Sequence, residues 1–517
     1  MKALNKDLLI SSHKFPEDLK VGSVKYLPER VLQFGEGVFL RGFVDWMLDC
    51  MNEKGIFNGR AVVVQPRGQE AIEVLNSQNG LYTLYLRGIR DGKTIEEKSV
   101  VSSISRGINL HRDFDEYLRC AENPDLRFVV SNTTEAGIAY NPADRPDDRP
   151  PASFPGKLAV FLYRRYTAFR GNPSKGMVIL PCELIERNGD RLKEIVLRLA
   201  GEWGLEGAFI DWIENSNHFL NTLVDRIVTG YPAEEAEKLT GELGYGDRLL
   251  NAAELFHLWV IEGSGQISAE LPFDRAGLDV VWTDDLTPYR TRKVRILNGA
   301  HTMTALAAYL YGKNTVGECI DDELVHAFMN EGIFQEIIPT LDMPEKELAD
   351  FAEAVLERFA NPFIRHNLLS IAMNSTSKFK TRVLPSIFAY MDRKGEIPEA
   401  LTFSLAALIA FYRGAEIREN ALIGKREGAE YNISDDMQVL QMFLELWSSF
   451  DGSREGAERL AAEVLSRADI WGSDLNELKG FGAKVSEYLF RIVTGGMKET
   501  MGSEFGRQGK RNRYGKE

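Results

Sequence analysis

The segment RVLQFGEGVFLR, residues 30–41, determines how the first half of the chain is interpreted. RVLQF is a short run of aliphatic and aromatic residues, which is typical of a strand covered on both faces. The overlapping segment LRGFVDWMLDCMNEKG, residues 40–55, has apolar residues at helical spacing and a glycine close to its end. Gly35 and Gly37 lie between the two patterns. The stretch therefore predicts a strand, a glycine turn and a helix in succession.

Short apolar runs alternate with helical patterns through the rest of the first half. Three further runs of this kind are AVVVQ (61–65), RFVVSN (127–132) and GMVILPCEL (176–184). Such alternation predicts an α/β fold, here a Rossmann-like doubly wound sheet that occupies residues 1–285. Near the end of this region, LFHLWVIEG (255–263) is interpreted as an amphipathic helix.

The second half of the chain has a different residue pattern. Segments such as TMTALAAYLYG (302–312) and EKELADFAEAVLERF (345–359) have helical periodicity and few β-branched runs. We therefore predict a C-terminal all-helical domain over residues 286–500. The basic end of the chain, residues 501–517, is predicted to be a disordered tail.

Composition excludes several classes of function. The 517 residues carry a formal net charge of -14, whereas nucleic-acid binding rests on clustered Lys and Arg. Four cysteines occur without C-x-x-C pairing, so neither a zinc site nor a disulfide framework is predicted. No segment has the pattern of a signal peptide or of a membrane span. We expect a cytoplasmic protein whose partner is a small molecule, and the oligomeric state stays open.

The glycine turn has a physical use in cofactor binding. Such a turn lets backbone N–H groups approach a pyrophosphate at the start of a helix. A plain tight turn would also explain the glycines, because Leu40 replaces the third glycine of the G-x-G-x-x-G pattern. The strand before the turn and the helix after it favour a dinucleotide site. The second strand ends at Gln65 rather than at an acidic residue, and nearby Arg67 would suit a 2'-phosphate, so these residues leave NAD and NADP open.

A second polar segment, RKVRILNGAHTM (292–303), opens the helical half. On an ideal α-helix at about 100° per residue, Lys293, His301 and Asn298 fall near 0°, 80° and 140°, which is one broad face. A surface lysine, an Asn-Gly turn and a buried core histidine would fit the same spacing. Spacing alone does not choose between these interpretations.

The functional interpretation of this segment has a clear chemical basis. Oxidation of a secondary alcohol requires removal of the hydroxyl proton as hydride leaves carbon, and a lysine desolvated in a cleft can serve as the base. Asn298 and His301 would donate hydrogen bonds to the oxygen that becomes alkoxide-like. This scheme uses no metal ion.

Five motifs occur in a consistent order along nearly the whole chain. They are FGEGVFLR (34–41), QNGLYTLYLRG (78–88), SNTTEAGIAY (131–140), NTLVDRI (221–227) and KVRILNGAH (293–301). In this order they resemble the mannitol dehydrogenase family of polyol-specific long-chain dehydrogenases. The resemblance implies a cofactor domain followed by a helical substrate domain, with NAD as the cofactor.

The resemblance also implies roles for individual residues. Lys293 would be the general acid/base, assisted by Asn298 and His301, while Asp225 and Lys378 would contact the substrate. The residues that would bind the cofactor are Phe34, Gly35, Glu36, Gly37, Val38, Phe39 and Arg41.

Four residues depart from the pattern of the polyol-oxidising members. Glu183 and Leu184 stand where those members carry Asp-Asn, Ser370 replaces an arginine, and Arg290 replaces a glutamate. These departures resemble the hexuronate branch of the family. The resemblance to that branch implies NAD-dependent interconversion of D-tagaturonate and D-altronate. Fructuronate with mannonate, mannitol, and a non-catalytic nucleotide-binding role are the alternatives.

A sugar-acid substrate would need a cation for its carboxylate, ideally the fork of an arginine. Several basic residues are near the key motifs in sequence, although each also fits a structural or surface role. The candidates are Arg290, Arg292, Arg295, Lys380 and Arg382.

Overall fold

A computed structural model of the chain describes residues 2–22, 26–65, 71–134, 136–263 and 265–506. The chain divides into two compact units, Met1–Leu286 and Thr287–Glu517.

A six-stranded sheet forms the centre of the first unit. Its strands are β1 (Glu29–Phe34), β2 (Arg60–Gln65), β3 (Ile104–Asn109), β4 (Phe128–Ser131), β5 (Val178–Pro181) and β6 (His218–Phe219). All neighbouring strands are parallel, in the order β3-β2-β1-β4-β5-β6. This is the strand order of the Rossmann fold, so the predicted fold class of the first half is confirmed. The order reverses between β1 and β4, which is where such sheets bind ligands.

The apolar runs of these strands are explained by burial on both faces. Leu32 of β1 and Val62 of β2 belong to one core cluster, whereas Val31 and Ala61 belong to the cluster on the opposite face. Every residue of β2 is buried. A strand of this kind lacks the alternation of a half-exposed strand, as the sequence pattern indicated.

Along the sequence, the helices of the first unit lie before, between and after these strands. Their bounds are Lys6–Ile10, Val38–Arg41, Val44–Glu53, Ala71–Ser77, Phe114–Cys120, Phe154–Ala168, Asn188–Glu202, Gly207–Ser216, Ala236–Leu243 and Gly265–Glu270.

Two smaller sheets complete the first unit. A five-stranded sheet has the spatial order Leu19–Val21, Lys93–Val101, Tyr82–Arg90, Asn251–Glu254 and Val228–Gly230. A three-stranded sheet has the order Thr222–Asp225, Leu258–Glu262 and Val280–Thr283.

The helix predicted for residues 255–263 is wrong. The structure has the strand Leu258–Glu262 there, paired antiparallel to Thr222–Asp225 and parallel to Val280–Thr283. Trp259, Val260 and Ile261 are consecutive and fully buried. Burial of successive residues on both faces of a strand produces a short apolar run, which periodicity cannot distinguish from a buried helical segment.

The second unit is mainly helical, as predicted. Its α-helices are Thr287–Arg292, Gly299–Tyr311, Val316–Asp321, Glu323–Asn330, Glu345–Phe359, Leu368–Ile371, Ser375–Arg382, Leu384–Lys394, Glu399–Phe411, Met437–Ser448, Arg454–Leu465, Ala468–Trp471, Phe481–Gly495 and Met497–Phe505. Two of them form its core, because Gly299–Tyr311 is buried at each position from Gly299 to Tyr309 and Glu399–Phe411 at each position from Ala400 onward.

This unit is nevertheless not purely helical. Three antiparallel strands, Gly414–Arg418, Ala421–Arg426 and Ala429–Ile433, form a small sheet. In the turns between them, Glu419 and Asn420 have φ of 51° and 66°, and Glu427 and Gly428 have 51° and 86°. Two consecutive left-handed residues match the right-handed twist of a hairpin, so these dipeptides close the two turns.

The predicted start of the disordered tail also needs correction. Residues 501–505 belong to the helix Met497–Phe505, in which Met501 and Phe505 are buried. Burial of these two side chains explains why the helix continues past residue 500. Residues 507–517, on which the rest of this prediction falls, lie outside the described residues.

Candidate functional site

The glycine turn follows β1 at the point where the strand order of the sheet reverses. Gly35 has φ of +118°, a conformation that side chains rarely adopt. Its N–H donates to the carbonyl of Val64, 3.0 Å away. A Cβ at Gly35 would lie 3.3 Å from the carbonyl oxygen of Asn132, just after β4. The backbone angle therefore favours glycine at position 35, and the space for a side chain there is tight.

Gly37 has a different environment from Gly35. It precedes the helix Val38–Arg41 with an ordinary φ of -62°, and no side chain in the described ranges caps that helix. A Cβ at Gly37 would meet no described atom within 4 Å. Gly37 and Val38 are both exposed. The turn thus presents backbone and open space on one side, which fits the close approach of a pyrophosphate.

Other residues predicted to bind the cofactor also make contacts that support the turn. Arg41 is buried, and its guanidinium donates to the carbonyl oxygens of Glu36, at 3.2 Å, and Leu249. Phe39 stacks on Phe43 with ring centroids 5.1 Å apart, and Phe34 is fully buried in the core. Arg41 therefore holds the turn in place, and its charge is turned away from solvent.

Glu183 holds the loop beside this turn, a role that the motif comparison did not predict. Its carboxylate accepts hydrogen bonds from the hydroxyl of Ser131, at 3.0 Å, and from the N–H and hydroxyl of Thr133, at 2.9 and 2.8 Å. Burial raises the pKa of this carboxyl. The next residue, Leu184, is 61% exposed. The only sequence signal for this role is an acidic residue directly after a buried strand.

Asp225 ends the strand Thr222–Asp225 and is buried. The adjacent Arg226 is fully engaged, since its guanidinium donates to the carbonyls of Glu254 and Gly42 at 2.8–3.0 Å. Its guanidinium carbon also lies 4.2 Å from the ring centroid of Trp46. Asp225 is therefore carried on a rigidly anchored strand end within the first unit.

The second polar segment begins with a π-helix, Lys293–Asn298, and continues as the α-helix Gly299–Tyr311. A π-helix has i to i+5 hydrogen bonds and so more residues per turn than an α-helix. The angles predicted for Lys293 and Asn298 from an ideal α-helix are therefore wrong. Single π-helical turns often occur at functional sites, where they change the direction of side chains.

A close contact between two helices brings further polar groups to this segment. A Cβ at Gly299 would lie 3.3 Å from the carbonyl oxygen of Arg382, at the end of the helix Ser375–Arg382. The guanidinium of Arg382 donates to the hydroxyl of Thr302 at 3.4 Å. On the same helix, the ammonium of Lys378 donates to the carbonyl of Ile371 at 2.9 Å. Glycine at 299 permits this approach.

His301 is a buried polar group of this segment. Its ring stacks on Phe359, with centroids 4.2 Å apart, and meets the edge of His366 at 4.8 Å. Nε2 of His301 is buried and has no hydrogen-bond partner among the described residues. Burial first, and then the nearby charges that include Arg382 and Lys378, lower the pKa of His301 well below its ordinary value. The imidazole is therefore neutral at neutral pH.

Comparison with known proteins identifies the family. The model of the mannitol dehydrogenase Rossmann domain matches residues 29–275, and the model of the mannitol dehydrogenase C-terminal domain matches residues 285–493. The chain belongs to the mannitol dehydrogenase family. The resemblance inferred from the five motifs is thereby confirmed.

Curated members of the family are similar to this chain over most of its length. An altronate oxidoreductase from Bacillus subtilis (strain 168) is 48% identical over 474 residues, which cover 92% of this chain and 95% of that protein. An altronate oxidoreductase from Escherichia coli O6:K15:H31 (strain 536 / UPEC) is 46% identical over 475 residues, covering 92% and 96%.

Two solved structures share the fold of this chain at lower identity. The Pseudomonas fluorescens mannitol 2-dehydrogenase in ternary complex with NAD and D-mannitol matches with a TM-score of 0.69 and 22% identity, over 97% of this chain and 99% of that one. A substrate-free D-sorbitol dehydrogenase matches with a TM-score of 0.77 and 22% identity, over 96% and 100%. At this identity the likeness shows the fold.

The predicted site residues of this family member fall in two places. The glycine turn and Asp225 lie in the first unit. Lys293, Asn298, His301 and Lys378 lie in the second, where the π-helix and the Gly299 contact bring their segments together.

Two groups near His301 were not predicted as parts of the site. Arg358 and His366 both lower the pKa of His301. Arg358 is buried in the helix Glu345–Phe359, three residues after the buried Val355. An arginine at an apolar position of an amphipathic helix is the sequence signal that would have indicated it.

Within the described ranges, no group of three His, Cys, Asp or Glu side chains could hold a metal ion. None of the helices in those ranges is long and apolar enough to cross a membrane.

We expect His301 to remain neutral when the pH falls through 6.5, because burial and neighbouring cations oppose its protonation. NMR titration of ¹⁵N-histidine-labelled protein would measure this, with the His301→Gln variant assigning the signal. Replacement of Lys378 with Met should move the pKa of His301 upward, but only in part, since burial is the larger cause. An ordinary histidine titration in the wild type would contradict this account.

The same shift has a consequence for stability. A histidine whose pKa is depressed in the folded state takes up its proton more readily on unfolding. Its contribution to the free energy of unfolding is therefore complete above pH 6.5 and is lost as the pH falls below that value.

Proposed function

We propose that this protein interconverts D-tagaturonate and D-altronate with NAD as the hydride carrier. The observation that carries the substrate is the 46–48% identity, over 92% of the chain, to proteins named altronate oxidoreductase. The glycine turn of the Rossmann unit and the Lys293, Asn298 and His301 segment support the reaction type.

The glycine turn would hold the pyrophosphate of the cofactor, with Gly37 leaving room for it and Arg41 fixing the backbone. When bound, the nicotinamide ring of NAD supplies the carbon that accepts or returns hydride. Gln65, at the end of β2, is buried and carries no charge that would attract a 2'-phosphate. Arg67, which would favour NADP, falls outside the described residues. We therefore propose NAD, rather than NADP, as the cofactor.

In the proposed mechanism, Lys293 removes the hydroxyl proton of altronate during oxidation and returns it to the ketone oxygen of tagaturonate during reduction. Asn298 and His301 donate hydrogen bonds to that oxygen as negative charge develops on it. A neutral imidazole retains one N–H donor and one acceptor nitrogen, so His301 can donate without competing with Lys293 as an acid. Lys378 contacts the hydroxyl groups of the sugar chain.

We place this reaction in the reducing cytoplasm. Cys50, Cys120, Cys182 and Cys319 are free thiols, and three of them are buried. Burial raises the pKa of Cys120 to about 11, so this thiol stays protonated at neutral pH. The cysteines accordingly act as small apolar residues rather than as nucleophiles.

A substrate panel tests the proposed function. With NADH, kcat/KM should be at least about tenfold higher for D-tagaturonate than for D-fructuronate, because the two differ in the configuration of a hydroxyl group that the site must hydrogen-bond. Fructose, the ketose that corresponds to mannitol, should be the poorest of the three. A preference for fructose would overturn the proposal, and tight NADH binding without turnover of any sugar would favour a non-catalytic role.

Two glycine substitutions form a matched pair that tests the cofactor turn. Gly37→Ala should leave the melting temperature unchanged, because its φ is ordinary and space is open, but its methyl group should raise the Kd for NADH about tenfold or more. Gly35→Ala should destabilise the fold by about 1–3 kcal/mol, because φ of +118° is strained for alanine. Thermal unfolding and NADH fluorescence titration measure both effects. Unchanged NADH affinity in Gly37→Ala would remove this turn from the cofactor site.

A further inference from the structure

Two of the five basic residues that the sequence indicates as carboxylate ligands are committed to the fold. Arg292 forms an ion pair with Glu347, 2.7 Å away. Arg295 donates to the hydroxyls of Ser386, at 2.6 Å, and Thr340, at 3.2 Å. Arg292 therefore has its own counter-ion, and the two hydroxyls fix the position of the Arg295 guanidinium.

Arg382 is in a different situation. It is half-buried, and burial lowers its pKa, so its guanidinium is partly removed from water. Its one side-chain hydrogen bond within the described residues is the 3.4 Å contact with Thr302, although a guanidinium has five N–H donors. No carboxylate of the described ranges lies within the 4.0 Å of an ion pair with Arg382 or with Lys378. Most of its donors are therefore available.

The groups around Arg382 make the absence of a local counter-ion more significant. Lys378 lies four residues earlier on the same helical face and adds a second positive charge. The carboxylate of Asp435 opposes the lowering of the Lys378 pKa, and it accepts hydrogen bonds from Thr376 and Tyr412 rather than from Arg382. Close to both cations, Nε2 of His301 is buried without a partner in the described structure. A partly buried cation without a counter-ion is costly, so an anionic ligand would complete this cluster.

We propose that Arg382, with Lys378 beside it, binds the carboxylate of the substrate and so sets the preference for hexuronates over neutral ketoses. This inference rests on the proposed function and extends it to a residue outside the motifs of the family. An arginine fork matches a carboxylate with two parallel hydrogen bonds. Arg382 reaches Thr302, the residue after His301, so the proposed carboxylate ligand lies beside the helix that carries His301.

Lys380 provides a matched control on the same helix. It lies against another part of the unit, since a Cβ at Gly472 would be 3.3 Å from its Cε. Lys380→Gln therefore removes one positive charge from the helix Ser375–Arg382 without changing the group that contacts Thr302.

The test compares D-tagaturonate with D-tagatose, which has a CH₂OH group in place of the carboxylate. Arg382→Gln should lower kcat/KM for tagaturonate by about 100-fold and leave that for tagatose within about threefold. Arg382→Lys should lose about tenfold for tagaturonate, because it keeps the charge but not the fork. Lys380→Gln should change neither value. Calorimetric titration of the enzyme–NADH complex with altronate and with the neutral polyol altritol makes the same comparison between acid and neutral ligand, with the Kd as the measured quantity.

The outcomes separate this inference from the proposed function. An equal loss for both substrates in Arg382→Gln would mean a structural role and would overturn the inference, as would an unchanged preference for tagaturonate. If Arg382→Gln fails to fold, Arg382→Lys takes its place. A loss of affinity for altronate but not for altritol supports the inference, and an equal loss for both overturns it. A wild type that prefers tagatose would instead overturn the proposed function itself.

Discussion

The close contact between Gly299 and the carbonyl of Arg382 is the constraint on which the polar region of the helical unit depends. The helix Gly299–Tyr311 is buried at nearly every position, and the absence of a side chain at Gly299 allows a second helix to approach it closely. The contact brings Arg382 and Lys378 beside His301, which is enclosed by Phe359. Burial of Nε2 of His301 without a hydrogen-bond partner among the described residues costs stability.

Charge is distributed unevenly in this region, in a way that suits an anionic substrate and an alkoxide-like transition state. Burial and the surrounding cations keep His301 neutral, so it contributes a hydrogen-bond donor rather than a further charge. Arg382 and Lys378 supply the positive charge. This local arrangement is independent of the net charge of -14, because nearby charges in a partly desolvated site dominate over distant ones.

The sequence predicted the features that rest on local patterns. The strands, the glycine turn and the Rossmann topology follow from apolar runs and from two glycines, and Lys293, Asn298 and His301 were proposed through motif order. The π-helix over Lys293–Asn298 was not predicted, because spacing was converted to angles on an α-helical assumption. The roles of Arg358 and Glu183 depend on contacts between residues far apart in sequence. For Arg358 the local signal is its position three residues after Val355, on the buried face of an amphipathic helix. The strand Leu258–Glu262 was mistaken for a helix because its buried run has no alternation.

The central claim is that Lys293 moves the proton that accompanies hydride transfer. Replacement of Lys293 with Ala tests it most directly when turnover of tagaturonate and the Kd for NADH are measured on the same preparation. The account predicts a loss of about 10²–10⁴-fold in kcat, the usual contribution of a general acid/base, with unchanged NADH affinity. Turnover at the normal rate in this variant would contradict the assignment of the base.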